Sequence, residues 1–333
     1  MVPFLRRDAP EYVEAALAEH GRVVFETMSI PTRWYAPTTR SIREPVVISV
    51  VKNERDRLAD FLHHYRSCGI ERFFFIDNGS TDGTIEFLCA QDDCRVHRIA
   101  SSFDWRRKQG WIMSAIDMIG RGRDVWYIYV DADEHIVFDG MERSSFGDLA
   151  RRMAARGLAR VRGMLVDMYR EGSLLNSTYR PGDRLIESYP FFDGSGYREA
   201  VFRQIVSRKG GPRQRAFGHA DSEFRPELTK YPLFRLSGHD VFANPHHVWP
   251  YEENFKSPCY LGILHFKFLP DTTRRIADSI KAENYWGGSL EYKCYHKVLS
   301  ATPDLGLWCE DSVRYETPEQ LIEHRLIEPL DPR

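Results

Sequence analysis

Residues 46–84 read VVISVVKNERDRLADFLHHYRSCGIERFFFIDNGSTDGT, and the alternation inside this stretch decides the fold class. Val46 to Val51 is a run rich in β-branched residues. Such a run predicts a strand buried on both faces, the habit of parallel sheets. Leu58, Phe61, Leu62 and Tyr65 follow at i, i+3, i+4 and i+7, one apolar stripe along a helix that ends near Gly69. Phe73 to Ile76 then predicts a second strand. It runs into Asp77-Asn78-Gly79-Ser80-Thr81-Asp82-Gly83, a cluster of turn formers in which Thr81 or Asp82 caps a helix carrying Ile85 and Leu88.

Outward from this stretch the rhythm continues. Val96 to Ile99 predicts a third strand, Ile112, Ala115, Ile116 and Ile119 a third helical face, and Trp126 to Val130 a fourth strand. The repetition predicts a doubly wound α/β layer. Upstream, residues 1–44 read as a leading arm with a short helix at Glu11 to Glu19 and prolines at Pro31 and Pro37. Beyond about residue 145, Gly and Pro clusters at 180–183, 194–196 and 210–212 predict loops and short strands. Leu261 to Phe268 alternates like a strand, and Arg274 to Tyr285 and Leu290 to Leu299 read as two closing helices. There is no internal repeat and no low-complexity tract.

Composition narrows the function classes. The 46 Lys and Arg against 48 Asp and Glu give a net charge of -2, too little field to hold a nucleic-acid backbone, so any anionic ligand must be held by local groups. Val125 to Val130 and Tyr260 to Ile263, the longest apolar runs, fall far short of the roughly twenty residues of a membrane helix. Contact with a membrane surface stays open. Arg6, Arg7 and Asp8 stand where a signal peptide would carry an apolar core, which predicts a cytoplasmic chain. The 6 cysteines lack paired CxxC spacing and read as reduced thiols rather than disulfides or a zinc knuckle.

In an open parallel sheet the ligand crevice lies beyond the carboxyl ends of the strands. Here the first strand runs into Lys52-Asn53-Glu54, the second into Asp77 to Ser80, and the fourth into Asp131-Ala132-Asp133-Glu134. Glu54 and Asp77, as ionised acceptors, suit the N–H of a base and the hydroxyls of a ribose, and Gly79 lets the backbone pass close to a ligand. Turn chemistry alone accounts equally well for Asp77 to Asp82. Asp131 and Asp133 share a side in extended geometry and suit one Mg²⁺ or Mn²⁺ bridging the phosphates of a nucleotide diphosphate. There the ion acts as a Lewis acid on the leaving group. An exposed acidic turn is the plainer alternative. Crowding Asp131, Asp133 and Glu134 beside a buried strand is costly through mutual repulsion unless a cation or basic group compensates.

At these residues the chain resembles the glycosyltransferase family 2-like group of the GT-A fold, in the bacterial branch that carries Asn-Glu, Asp-Asn-Gly-Ser-Thr-Asp and Asp-Ala-Asp-Glu in series. The resemblance lies in the stretch from Val50 to Thr84 and in WYIYVDADEH at 126–135, with similar segments at Gly210 to Gly218, Lys230 to Arg235 and Ile263 to Asp271. It implies a nucleotide-diphospho-sugar transferase of hexosyltransferase type, with a Rossmann-like, mostly parallel sheet flanked by helices and an irregular acceptor-binding second half. The implied partners are a nucleotide-sugar donor, UDP-sugar favoured, and a saccharide or glycoconjugate acceptor. The implied donor contacts are Val51, Asn53, Glu54, Asp77, Asn78, Ser80, Gln109, Asp131, Ala132, Arg213 and Lys230, and the implied Mn²⁺ or Mg²⁺ ligands are Asp131, Asp133 and the late histidine, His265. On its own His265 reads as a satisfied core histidine. Arg213, Arg215 and Lys230 suit diphosphate oxygens but read as well as solvated charges.

The implied layout is an arm at 1–44, a nucleotide-sugar-binding half at 45–145, an acceptor and catalytic half at 146–270 and a helical closing segment at 271–333. A Gln-x-x-Arg-Trp element is missing, which disfavours a processive synthase. An inverting transfer needs an acid to deprotonate the acceptor, and Asp193 and Asp240 are favoured over Asp221, each also readable as structural. Phe191, Phe192, Tyr197, Trp249, Tyr251 and Trp286 suit sugar rings or the core. Two rivals remain: a nucleotidyltransferase making nucleotide sugars, whose usual glycine-rich loop is replaced here by Lys52-Asn53-Glu54, and a catalytically silent carbohydrate-binding protein of the same fold.

Overall fold

The computed structural model describes residues 11–34, 44–121, 125–176, 178–202 and 205–331. Arg6 to Asp8 and Pro37 lie outside the described residues. The leading stretch contributes α1 (Glu11–His20) and β1 (Glu26–Ser29). Then come β2 (Val46–Val51), α2 (Arg55–Ser67), β3 (Phe73–Asp77), α3 (Thr84–Cys89), β4 (Cys94–Arg98), α4 (Arg107–Ile119) and β5 (Tyr127–Tyr129), the alternation expected from the sequence. The next elements are β6 (Glu134–Phe138), α5 (Phe146–Ala155), β7 (Arg160–Asp167), α6 (Leu185–Ser188), β8 (Phe191–Asp193), β9 (Tyr197–Phe202), β10 (Ile205–Gly210), α7 (Gly211–Phe217) and β11 (Thr229–Phe234). The chain closes with β12 (Val241–Asn244), β13 (His247–Trp249), α8 (Glu252–Phe255), β14 (Cys259–His265), α9 (Thr272–Ala282), α10 (Trp286–Ala301), β15 (Ser312–Arg314) and α11 (Pro318–Glu323).

Among the described residues one sheet of 9 strands runs in the order β1-β4-β3-β2-β5-β11-β7-β14-β6. The neighbours from β4 to β5 are parallel, as are β7 and β14, whereas β1, β11 and β6 are each antiparallel to their neighbours. Six strands therefore share one direction and three oppose it, a mixed, mostly parallel α/β sheet of Rossmann-like character. The second half of the chain is more regular than its Gly and Pro clusters suggest. It inserts β11 against β5 and adds β7 and β14, pairings set by contacts far apart in sequence rather than by local pattern.

Burial on both faces follows from the pleat. Val47, Val51, Phe73 and Phe75 pack with Leu58, Phe61, Leu62 and Tyr65 of α2 on one side. Val46, Ile48, Phe74 and Ile76 pack on the other with Trp111, Ile112, Ala115 and Ile116 of α4 and with Val13 and Ala16 of α1. A third cluster, around Phe217, Phe268 and Tyr295, seats α7 and α10. No described helix is long and apolar enough to cross a membrane.

Candidate functional site

The register brings many strand ends to one edge. Val51 lies beside Asp77, and His265 lies between Asp167 and Glu134, so the ends of β2, β3, β7 and β14 meet the start of β6. A cavity of about 230 Å³ opens there, lined by Val51 to Glu54, Asn78, Asp131 to Asp133 and Lys108 from the sheet side and by Arg274 and Arg275 of α9.

Two turns are stitched together to form one of its walls. Asn53 takes φ 56, a left-handed conformation that asparagine tolerates. Its N–H donates to Ser80 Oγ at 2.9 Å, and its Oδ1 accepts from the Thr81 N–H at 2.8 Å. The Glu54 N–H donates to Thr84 Oγ1 at 3.0 Å. Asp77, fully buried, accepts from the N–H groups of Gly79 at 2.9 Å and Ser80 at 3.2 Å. Its carboxylate thus shapes the turn, while Asn78 lines the cavity and Ser80 supports Asn53. The cap of α3 also differs from expectation: Gly83 holds the cap position at φ 88, and Asp82 Oδ1 accepts from the Thr84 N–H at 3.0 Å.

Asp131 accepts from the Lys108 ammonium at 2.6 Å and from the Tyr129 hydroxyl at 2.9 Å, with Lys230 Nζ at 3.7 Å. Burial alone would push its carboxyl up; Lys108 and Lys230 more than offset that and hold it well below the usual carboxylate range. Asp133 has looser partners, His265 Nε2 at 3.9 Å and Arg275 at 3.8 Å. Burial opposes its ionisation, yet His265 and Arg275 keep its carboxyl low. Lys230 is buried and paired with Glu134; burial pulls its ammonium down, and Glu134 and Asp131 more than reverse this. Glu54 pairs with Arg275 and, at 3.0 Å, with Arg57; burial still outweighs both and raises its carboxyl.

His265 is held between two carboxylates. Its Nδ1 lies 2.6 Å from Asp167, whose ionised carboxylate only accepts, so Nδ1 carries a proton, and Nε2 faces Asp133 at 3.9 Å. Asp167 is in turn clamped by Arg213 Nε at 2.8 Å. Ligating atoms of Asp133, Glu134 and His265 lie within 4.8 Å of one another. A histidine backed by one carboxylate and faced by others could hold a divalent cation. Glu134 stands in this group where Asp131 was expected, although both are ion-paired, Glu134 with Lys230 and Asp131 with Lys108.

Other expected site residues lie apart from the cavity. Gln109 donates from Nε2 to the Trp105 carbonyl at 2.8 Å, and its buried Oε1 has no hydrogen-bond partner among the described residues. Arg213 does not line the cavity and is ion-paired with Asp167 and Glu291. Asp193 accepts from the Tyr169 hydroxyl at 2.6 Å and pairs with Arg215 at 3.0 Å. Asp240 sits near the start of β7, the opposite edge of the sheet, paired with Arg160 at 2.8 Å and capping the Ser237 N–H at 2.7 Å. Neither aspartate is brought to the cavity. Lys108 and Arg275 escaped the sequence reading: Lys108 precedes Gln109 directly, but Arg275 on α9 looks like any solvated helical arginine.

No protein-family model matches the chain. A stretch of 101 residues, 30% of the chain, is 25% identical to a glycosyltransferase family 92 protein of Oryza sativa subsp. japonica. The match spans 17% of that protein's length. The similarity is thus to a glycosyltransferase, named for a family other than the family 2-like group.

Proposed function

We propose that the chain transfers a hexosyl group from a nucleotide-diphosphate donor, UDP-linked by preference, to an acceptor hydroxyl, on a GT-A frame akin to the family 2-like group. One observation carries the reading: residues that follow three separate strands, β2, β3 and β5, line a single cavity that also holds Lys108, Arg274 and Arg275. Glycosyl transfer also agrees with the similarity to a glycosyltransferase.

In this reading Asn53, Glu54 and Asn78 receive the nucleoside, and Lys108, Arg274 and Arg275 face the diphosphate. Asp133 and His265, with Glu134 adjacent, would hold Mn²⁺ or Mg²⁺, which when bound neutralises charge developing on the departing diphosphate. Asp167 holds the imidazole through Nδ1, which leaves Nε2 as the atom to face the ion. For an inverting transfer the acceptor proton goes to a carboxylate, and Asp278 lines the cavity where Asp193 and Asp240 do not.

Release of UDP from UDP-hexoses, followed with and without Mn²⁺ in the parent and in Asp133→Asn, tests the proposal. The parent turns over with Mn²⁺ and the variant loses that dependence while keeping its fold. Equal turnover in both would remove the assignment. Pyrophosphate made from a nucleoside triphosphate and a sugar phosphate would instead support a nucleotidyltransferase.

A further inference from the structure

The cavity is chemically divided. Its floor is charged, with Lys108, Asp131, Asp133 and Arg275, whereas one wall is three aromatic rings: Phe103, Tyr285 and Tyr292. Tyr285 lies 5.0 Å from Phe103 and 4.9 Å from Tyr292, centroid to centroid. Both outer rings are braced from behind. Phe103 meets fully buried Trp111 edge-on at 6.3 Å, and Tyr292 meets Tyr295 at 6.1 Å with the Lys267 ammonium 5.1 Å above its ring. Tyr285 itself stays 37% exposed.

The backbone fixes this ring by an uncommon device. Gly287, Gly288 and Ser289 follow one another at φ 62, 63 and 64. Glycine takes that conformation freely, but Ser289 does not, and it is held there by burial and by an Oγ hydrogen bond to the Ser279 carbonyl at 2.7 Å. Beside the rings, Asn284 lines the cavity with a buried Oδ1 that has no hydrogen-bond partner among the described residues. An orphaned acceptor next to an aromatic face is unfavourable until something supplies an O–H or N–H.

We propose that Phe103, Tyr285 and Tyr292, with Asn284, form a subsite for a hexopyranose ring. The C–H face of the sugar covers Tyr285 and a ring hydroxyl donates to Asn284 Oδ1. This rests on the glycosyl-transfer reading and adds the place where a sugar, of the donor or of the acceptor, is recognised.

The test uses Tyr285→Ala and Tyr285→Phe in the full chain with Mn²⁺. The probes are UDP alone, a panel of UDP-hexoses, and methyl hexosides added to stimulate UDP release. Tyr285→Ala should bind UDP as the parent does and lose roughly tenfold in affinity for a UDP-hexose if the donor ring lies there, or roughly tenfold in response to the methyl hexoside if the acceptor ring does. Tyr285→Phe should retain both. An alanine variant unchanged in both arms overturns the subsite while leaving the transferase reading intact. A parent that binds no UDP removes both.

Discussion

His265 shows how little of a site a residue type reveals by itself. In sequence it is one histidine in an apolar strand; in the fold Asp167 commits one ring nitrogen and leaves the other toward Asp133. Asp167 also carries the buried charge of Arg213, and its carboxyl is held low by Arg213 and His265 against burial. Asp167→Asn therefore removes both supports at once. It should weaken Mn²⁺ binding by about 10–100-fold, and because Arg213 keeps Glu291 at 3.2 Å, the stability loss should fall below the roughly 3–5 kcal/mol of a fully unpaired buried charge. Titration calorimetry with Mn²⁺ and urea unfolding read the two effects separately, and an unchanged Mn²⁺ affinity would contradict the support given to His265 by the Asp167 charge. Asp131, Asp133 and Glu54 were legible because each follows a recognisable strand. Lys108 and Arg275 were not, because a single cation on a helix surface carries no signal of what it faces.

At the scale of elements, the strand–helix series from β2 to β5 was readable because each piece has its own period. The pieces β7 and β11 were not, since their pairing joins residues far apart and β11 carries Pro232. Helix α5 shows local chemistry at its clearest. Ser145 and Asp148 form a capping box, the Asp148 N–H donating to Ser145 Oγ at 3.1 Å and the Ser145 N–H to Asp148 Oδ2 at 3.0 Å. Ser145→Ala should cost about 1 kcal/mol in urea unfolding, with UDP binding unchanged because α5 contributes nothing to the cavity lining. A loss of UDP affinity in that variant would mean that stability and site are not separable here.

Over the whole molecule, several histidines are held neutral. Burial, with help from Arg95, lowers His97 to about 4; burial likewise lowers His246, near Lys230, and His247, near Lys209, to about 4. Unfolded histidine protonates near 6.5. Above that pH both states are neutral and the fold keeps its full stability. As pH falls from 6.5 to about 4 the unfolded chain takes up protons that the folded chain refuses, so stability drops across that window. Thermal melts at intervals through it should show a falling midpoint, and a flat profile would contradict the buried, neutral assignment. In the proposed function, acidic side chains from separate strand ends share one cation and one nucleotide diphosphate. Crystals grown with Mn²⁺ and UDP test it most directly, through the anomalous signal of the metal. The expected result is one manganese peak bonded to Asp133 and His265, with UDP between Asn53 and Arg275. A peak elsewhere, with UDP absent from that cavity under saturating conditions, would contradict it.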